Sequence, residues 1–165
     1  MQDEFTSDIV PDQITVAVFD RTIEKFKEVL LQQELAADKC RDALKTLNEL
    51  IHHQETADQM IDSDLIAITS ALMKHRNEEV REQAALLIGS FSTHKRACPH
   101  LLEYTFKNLN EILEDPDQNV RNAAARVFHK LSVTSSGCEC IRDTDSANQM
   151  IQSFIGHSQA DTISL

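Results

Sequence analysis

The sequence is poor in glycine, proline and aromatic residues, with three glycines, three prolines, 5% aromatics and no tryptophan among 165 residues. Because glycine and proline mark turns and suit β architectures, their scarcity favours long helices joined by short polar connections. No apolar run approaches the roughly 18 residues that a transmembrane helix needs, so no membrane span is expected. Hydrophobic residues make up 41% of the chain, which indicates a folded domain rather than a disordered one.

The charge balance is acidic, with 16 Lys and Arg against 27 Asp and Glu, giving a net charge of −11. Such a surface repels phosphate backbones and anionic membranes, so neither nucleic acid nor a membrane is an expected partner. Residues 1–4 lack the basic and apolar regions of a signal peptide. The four cysteines are therefore expected to be reduced thiols, and the protein to be cytoplasmic.

The most informative feature is an internal repeat, because residues 77–92 reappear as residues 117–132 with a constant shift of 40. The matched pairs are Asn77 with Asp117, Val80 with Val120, Arg81 with Arg121, and Ala84-Ala85 with Ala124-Ala125. A weaker copy runs through residues 42–51, where Arg41 fits one register and Ala43 the next. A period of about 40 residues is typical of armadillo and HEAT repeats.

Each copy has the pattern of a helical hairpin. Asn77 and Asp117 are N-cap residue types that precede an apolar-periodic run, and Pro116 ends the helix before it. One helix face carries apolar residues at i, i+4, i+7, i+8 and i+11, namely Val80, Ala84, Leu87, Ile88 and Phe91. The other helix of each hairpin is predicted to be one continuous helix, over residues 65–73 in one copy and 101–113 in the next.

The ends of the chain depart from the repeat, as terminal repeats do. The amphipathic helix predicted over residues 13–35 either caps the first repeat or binds a partner. The predicted organisation is an N-terminal tail and a helical repeat domain followed by a C-terminal tail. These segments span residues 1–12, 13–155 (cap 13–35; repeats 36–74, 75–114 and 115–155) and 156–165.

Residues 112–125 resemble the most recognisable stretch of armadillo and HEAT repeats, in which an Asp-Pro loop precedes a Val-Arg pair and an Ala-rich helix. The resemblance covers residues 35–155. It implies an all-α fold, a right-handed α-solenoid of about three repeats. Arg81 and Arg121 resemble the arginines that link neighbouring HEAT repeats, so a structural role between repeats is implied for both.

The resemblance also implies which positions line the concave surface. The family's cargo-binding Trp positions fall on Lys45, Leu86 and Arg126, and its Asn positions fall on Glu49, Ser90 and Lys130. None of the six is Trp or Asn, so the peptide clamping of nuclear-import proteins is not expected. The six residues remain the predicted partner-binding surface.

A narrower resemblance is to the family of the radial spoke head 14 homologue, armadillo-repeat proteins of motile cilia. Residues 43–54, 72–81 and 113–116 are similar to the early repeats of that family, whose members are about twice this length. This resemblance implies a structural subunit of the axonemal radial spoke, located in the cilium or flagellum.

No catalytic, cofactor or metal site is predicted. Cys138-Glu139-Cys140 is too closely spaced for the usual zinc pair, and His52-His53-Gln54-Glu55 lacks the i, i+4 spacing of a zinc protease helix. The latter is predicted to lie in a loop. The three glycines stand alone, so the chain has no Gly-rich phosphate loop.

The function predicted from these observations is a non-catalytic scaffold for protein–protein interaction, and not an enzyme. Two alternatives stay open, namely an adaptor subunit in nuclear transport or phosphatase assembly and a HEAT-like lyase. Because about three repeats are near the minimum for a stable solenoid, the exposed ends are also expected to favour self-association.

Overall fold

The computed structural model describes residues 11–32 and 37–135, and side chains are described throughout except at residues 11–20 and Leu102. Within these ranges the chain is all-α and has no β-strand. The helices are α1 (Pro11–Leu31), α2 (Ala37–Leu50), α3 (Gln54–Asp62), α4 (Leu65–Leu72), α5 (Glu78–Phe91), a 3-10 helix (Lys95–Ala97), α6 (Cys98–Tyr104), α7 (Phe106–Ile112) and α8 (Gln118–Val133). None of them is both long and apolar enough to cross a membrane.

The centre of the fold is α5, which packs against α2 on one side and α8 on the other. Helix α1 contacts α2, α3 and α4, while α4 also contacts α5 and α6, and α7 contacts α8. The buried apolar side chains of these helices form one continuous core. A core shared in this way makes each helix depend on its neighbours for the burial of its apolar face.

The 40-residue repeat recurs in the buried positions of α2, α5 and α8. Four sets of equivalent residues are all buried: Cys40, Val80 and Val120; Leu44, Ala84 and Ala124; Leu47, Leu87 and Val127; and Ile51, Phe91 and Leu131. The first copy is therefore also shifted by 40 residues, which pairs Arg41 with Arg81 and settles its register.

The beginnings of α5 and α8 are fixed by the same kind of cap. The side-chain oxygen of Asn77 accepts a hydrogen bond from the Val80 backbone N–H at 3.1 Å. Asp117 Oδ1 accepts from the backbone N–H groups of Asn119 at 2.8 Å and Val120 at 3.1 Å. These bonds satisfy N–H groups that have no partner inside the helix.

The segments before α5 and α8 differ from the predicted hairpin, because each contains two helices instead of one. Helix α3 precedes α4, and the helix predicted over residues 101–113 is divided at Thr105 into α6 and α7. Between α3 and α4 the chain turns at Asp64, whose φ of 60° ends any continuous helix. The repeating unit therefore has three helices, α3–α4–α5 and then α6–α7–α8.

The remaining predictions about chain organisation fall partly within the described residues. The predicted cap helix corresponds to α1, which buries Ile23 and Leu30. His52 and His53 lie in the connection after α2, whereas Gln54 and Glu55 begin α3. Residues 1–10 and 136–165, with most of the predicted N-terminal tail, the second half of the third repeat and the C-terminal tail, lie outside the described residues.

Candidate functional site: the surface of α2, α5 and α8

The six predicted partner-binding residues lie on the three equivalent helices α2, α5 and α8, but in different environments. Lys45 and Glu49 on α2 and Arg126 on α8 are exposed, Leu86 on α5 and Lys130 on α8 are half-buried, and Ser90 on α5 is buried. The 40-residue register places Thr46 and Leu50 opposite Leu86 and Ser90. Lys45 and Glu49 each lie one residue earlier, because the sequence pattern of α2 left its register open.

A line of polar contacts crosses the three helices at Ser90. Its hydroxyl donates to Asn48 Oδ1 of α2 at 2.7 Å and lies 3.3 Å from the Leu86 carbonyl oxygen. From the other side, Lys130 Nζ of α8 donates to Ser90 Oγ at 3.5 Å. The structure therefore brings Ser90 and Lys130 together and adds Asn48.

Sequence reasoning missed Asn48, although a signal was present. Its equivalents in the other two copies are Ile88 and Phe128, which are both buried in the core. An amide at a position that is otherwise apolar indicates a local polar requirement, since a buried amide needs a hydrogen-bond partner.

Gly89 determines how α8 lies against α5. A Cβ at this position would meet Val127 Cγ2 at 3.2 Å, Lys130 Cδ at 3.6 Å and the Val127 Cα at 3.7 Å. The missing side chain lets the backbone of α8 approach closely and leaves room for the Lys130 stem to pass over α5. That path allows the Lys130 ammonium group to reach Ser90.

The charge of Lys130 is poorly compensated. Burial lowers the pKa of its ammonium group, and the nearby charge of Arg126 lowers it further. Within the described part of the chain, neither cation has a carboxylate at salt-bridge distance; Arg126 has no hydrogen-bond acceptor, and Lys130 has the Ser90 hydroxyl. The surface thus presents more donors than acceptors.

A second group of charged residues joins the units along their loops. Arg81 donates to Asp115 through Nε at 2.8 Å and through Nη2 at 2.9 Å, which links α5 to the loop before α8. Its Nη1 also donates to the carbonyl oxygens of His75 at 2.9 Å and Arg76 at 3.1 Å. This fork-shaped pair is largely buried, with 14% of the Arg81 side chain and 8% of the Asp115 side chain exposed.

Arg121 repeats half of this arrangement. Its Nη1 donates to the carbonyl oxygens of Asp115 at 2.6 Å and Pro116 at 2.9 Å, which are the equivalents of His75 and Arg76. One copy earlier, Arg41 pairs with Glu79 of α5 at 2.6 Å. The same sequence position therefore joins α2 to α5 in the first copy and fastens a helix to the loop residues before α5 and α8 in the next two.

Acid is expected to destabilise the fold through Asp115. Burial alone would raise its pKa, but hydrogen bonds from Arg81 and from the Asp117 backbone outweigh burial and hold the pKa below its ordinary range. Stability from this pair is therefore complete above about pH 4, the pKa of an unfolded aspartate, and is lost as the pH falls through the folded value.

The measurement is the free energy of urea unfolding between neutral pH and the acid limit of the folded state. Asp115→Asn should flatten part of the acid slope, while Glu114→Gln, an exposed neighbour, controls for the change in net charge. Equal slopes for the wild type and Asp115→Asn would contradict this assignment. Hydrogen bonds from Arg96 and Gln54 also lower the pKa of Asp58, so some acid dependence should remain.

The cysteines differ from the expectation of four reduced thiols. Cys40 is free and buried, and burial raises its pKa. Cys98 is disulfide-bonded, so the expectation is wrong for this residue. Cys138 and Cys140 lie outside the described residues. Across residues 11–32 and 37–135, no group of three or more His, Cys, Asp or Glu side chains is arranged to hold a metal ion.

The contacts therefore outline two features, a donor-rich surface around Lys130 and a buried arginine–aspartate link between units. Comparison of the chain with family models, curated proteins and solved structures gives no match.

Proposed function

We propose that the chain is a short right-handed α-solenoid of about three armadillo/HEAT-type repeats and serves as a non-catalytic scaffold for protein partners. The observation that carries the proposal is that the 40-residue repeat recurs as equivalent contacts. Arg81 and Arg121 bind corresponding loop carbonyls, and the equivalent faces of α2, α5 and α8 are buried. Equivalent contacts at a constant period are what a stack of like units requires.

The three-helix unit supports the armadillo form of the proposal over the two-helix HEAT form. In a stack of such units the equivalent helices lie side by side, and their outer faces make an extended surface on which a partner can lie. Here that surface contains Leu86, Ser90, Arg126 and Lys130. Self-association through the exposed ends of the stack is part of the same proposal.

The narrower form of the proposal is a structural component of the radial spoke in motile cilia or flagella. Its support is the sequence resemblance of residues 43–54, 72–81 and 113–116 to the early repeats of the radial spoke head 14 homologue family. The structural contacts support a scaffold in general and do not depend on this location.

Crosslinking in ciliated cells tests both forms. A tagged wild-type chain should yield a reproducible set of crosslinked proteins, with axonemal proteins among them. A destabilised variant, Phe91→Ala, expressed at the same level should lose most of that set. Capture of other partners without any axonemal protein would overturn the radial-spoke form, and nuclear transport or phosphatase subunits would point to an adaptor. A wild-type set no different from that of the variant would overturn the scaffold.

A further inference from the structure

The surface around Lys130 has the chemistry of an acceptor-binding site. Four side chains that we call the donor cluster meet there: Asn48, Ser90, Arg126 and Lys130. Oδ1 of Asn48 is already used by the Ser90 hydroxyl, and its amide nitrogen has no acceptor among the described residues. Arg126 and Lys130 can only donate. Among residues 11–32 and 37–135, no carboxylate lies at salt-bridge distance from Arg126 or Lys130.

We propose that the donor cluster receives a single carboxylate from an extended segment of a partner protein. This inference rests on the proposed function, since it names the partner chemistry of the same surface. An Asp or Glu side chain supplies acceptor oxygens and no donor when ionised, which complements the cluster. Charge-assisted hydrogen bonds of this kind are among the stronger ones in proteins.

Partial burial makes the pairing favourable for Lys130. Its ammonium group has lost part of its hydration, and the Ser90 hydroxyl at 3.5 Å replaces that hydration poorly. A half-buried charge without a counter-charge is costly, so a carboxylate placed here recovers energy that an exposed lysine would not offer. Lys45 on α2, which is exposed, lacks this advantage.

The net charge of the chain favours one carboxylate over a polyanion. At −11 the whole molecule repels nucleic acid and densely phosphorylated segments. Acidic residues also lie on the same helices, with Glu49 on α2 and Glu82 on α5. The half-buried Leu86 lies one turn before Ser90 and can contact an apolar side chain. The expected ligand is therefore a mostly neutral peptide with one Asp or Glu.

Peptide display on the purified chain of residues 1–165 tests this inference, with random peptides of about 12 residues as the probe. Wild-type protein should select peptides that share one Asp or Glu position. Lys130→Met keeps the apolar stem and removes the charge, so it should bind the selected peptides at least about tenfold more weakly in fluorescence anisotropy. Lys107→Met, at an exposed lysine on α7, is the matched control and should bind them with wild-type affinity.

Replacing the shared acid in the tightest-binding peptide tests whether a carboxylate binds the donor cluster, and a phosphoserine peptide tests whether a phosphate binds it instead. Asp→Asn should cost as much affinity as Lys130→Met, and the two changes together should cost little more than either alone. Tighter binding of a phosphoserine peptide would replace the carboxylate with a phosphopeptide and overturn the proposal. Selected peptides without a shared acid, or additive losses, would also overturn it, as would the selection of no peptide at all.

The proposal for the donor cluster can be wrong while the proposal of a scaffold stands. Peptides that bind without an acidic residue would leave the scaffold intact, and so would partners crosslinked equally by wild type and Lys130→Met. Thermal melting of Lys130→Met checks its fold, and Arg126→Gln, an exposed position, provides a second variant that removes charge from the same site. Arg126→Gln should weaken peptide binding in the same direction.

Discussion

Replacing Arg81 with alanine is expected to destabilise the fold by about 3–5 kcal/mol, because it leaves Asp115 buried without its partner. The carboxylate is 8% exposed and would lose both side-chain hydrogen bonds from Arg81. The carbonyl oxygens of His75 and Arg76 would lose theirs as well. Urea unfolding followed by far-UV circular dichroism measures the change in the free energy of unfolding.

Arg121→Ala is the matched control for this substitution. Arg121 makes the equivalent bonds to the carbonyl oxygens of Asp115 and Pro116, but has no carboxylate pair among the described residues. Its loss should cost about 1 kcal/mol, the value of ordinary hydrogen bonds. The difference between the two variants isolates the link between α5 and the loop before α8. Equal losses would contradict a special role for the Arg81–Asp115 pair.

Two further variants separate geometry from charge. Arg81→Lys keeps the charge but cannot form the two parallel hydrogen bonds, so it should recover little of the lost stability. The double variant Arg81→Ala/Asp115→Ala removes the uncompensated carboxylate and should be more stable than Arg81→Ala alone. A double variant that loses the sum of the two single losses would show that the residues do not act as a pair.

Much of the helical pattern was predictable because the two central copies share one strict shift. The caps Asn77 and Asp117, and the buried face that contains Val80 and Phe91, follow from residue type and spacing. Such signals are local, since a cap and a helix face depend on residues within a few turns. The helices α5 and α8 could therefore be predicted from the sequence.

The helices that were missed depend on contacts distant in sequence. Helix α3 has the sequence QETADQMID, in which Met60 and Ile61 are too few to mark a face. It is stabilised by packing against α1 and α4. The division between α6 and α7 at Thr105 has no glycine or proline to mark it. Tertiary packing decides both features, and a local pattern does not contain it.

The candidate site was also predictable from the sequence only in part. Resemblance to known repeats identified the surface that contains Ser90 and Lys130. It also implied the Trp and Asn residues with which other proteins bind their cargo, and neither type occurs at the six positions. The contact of Lys130 with Ser90 depends on how closely α8 approaches Gly89. The place of Asn48 beside Ser90 depends on the register of α2, which its buried residues determine. Side-chain chemistry at such a surface depends on distances between helices.

Phe91→Ala is the second substitution with a large expected effect, a loss of about 3–5 kcal/mol. Phe91 is fully buried in α5, where Ile51 and Leu131 are its equivalents in α2 and α8. Truncation removes apolar contacts and leaves a cavity that the packed helices cannot close completely. Val133→Ala, at a side chain that is 64% exposed, is the control and should change stability by less than about 0.5 kcal/mol.

Phe91→Ala also tests whether the helices unfold together. Cys40 is a free thiol in α2 and only 3% exposed, so its labelling by a thiol reagent, read by mass spectrometry, reports opening of α2. Because α2 packs directly on α5, a cavity at Phe91 should raise the Cys40 labelling rate even though Cys40 itself is unchanged. A Cys40 rate unaffected by Phe91→Ala, alongside reduced global stability, would mean that α2 opens independently of α5. A rate that rises with the global loss would instead make α2 and α5 one cooperative unit, as a scaffold that presents a fixed surface requires.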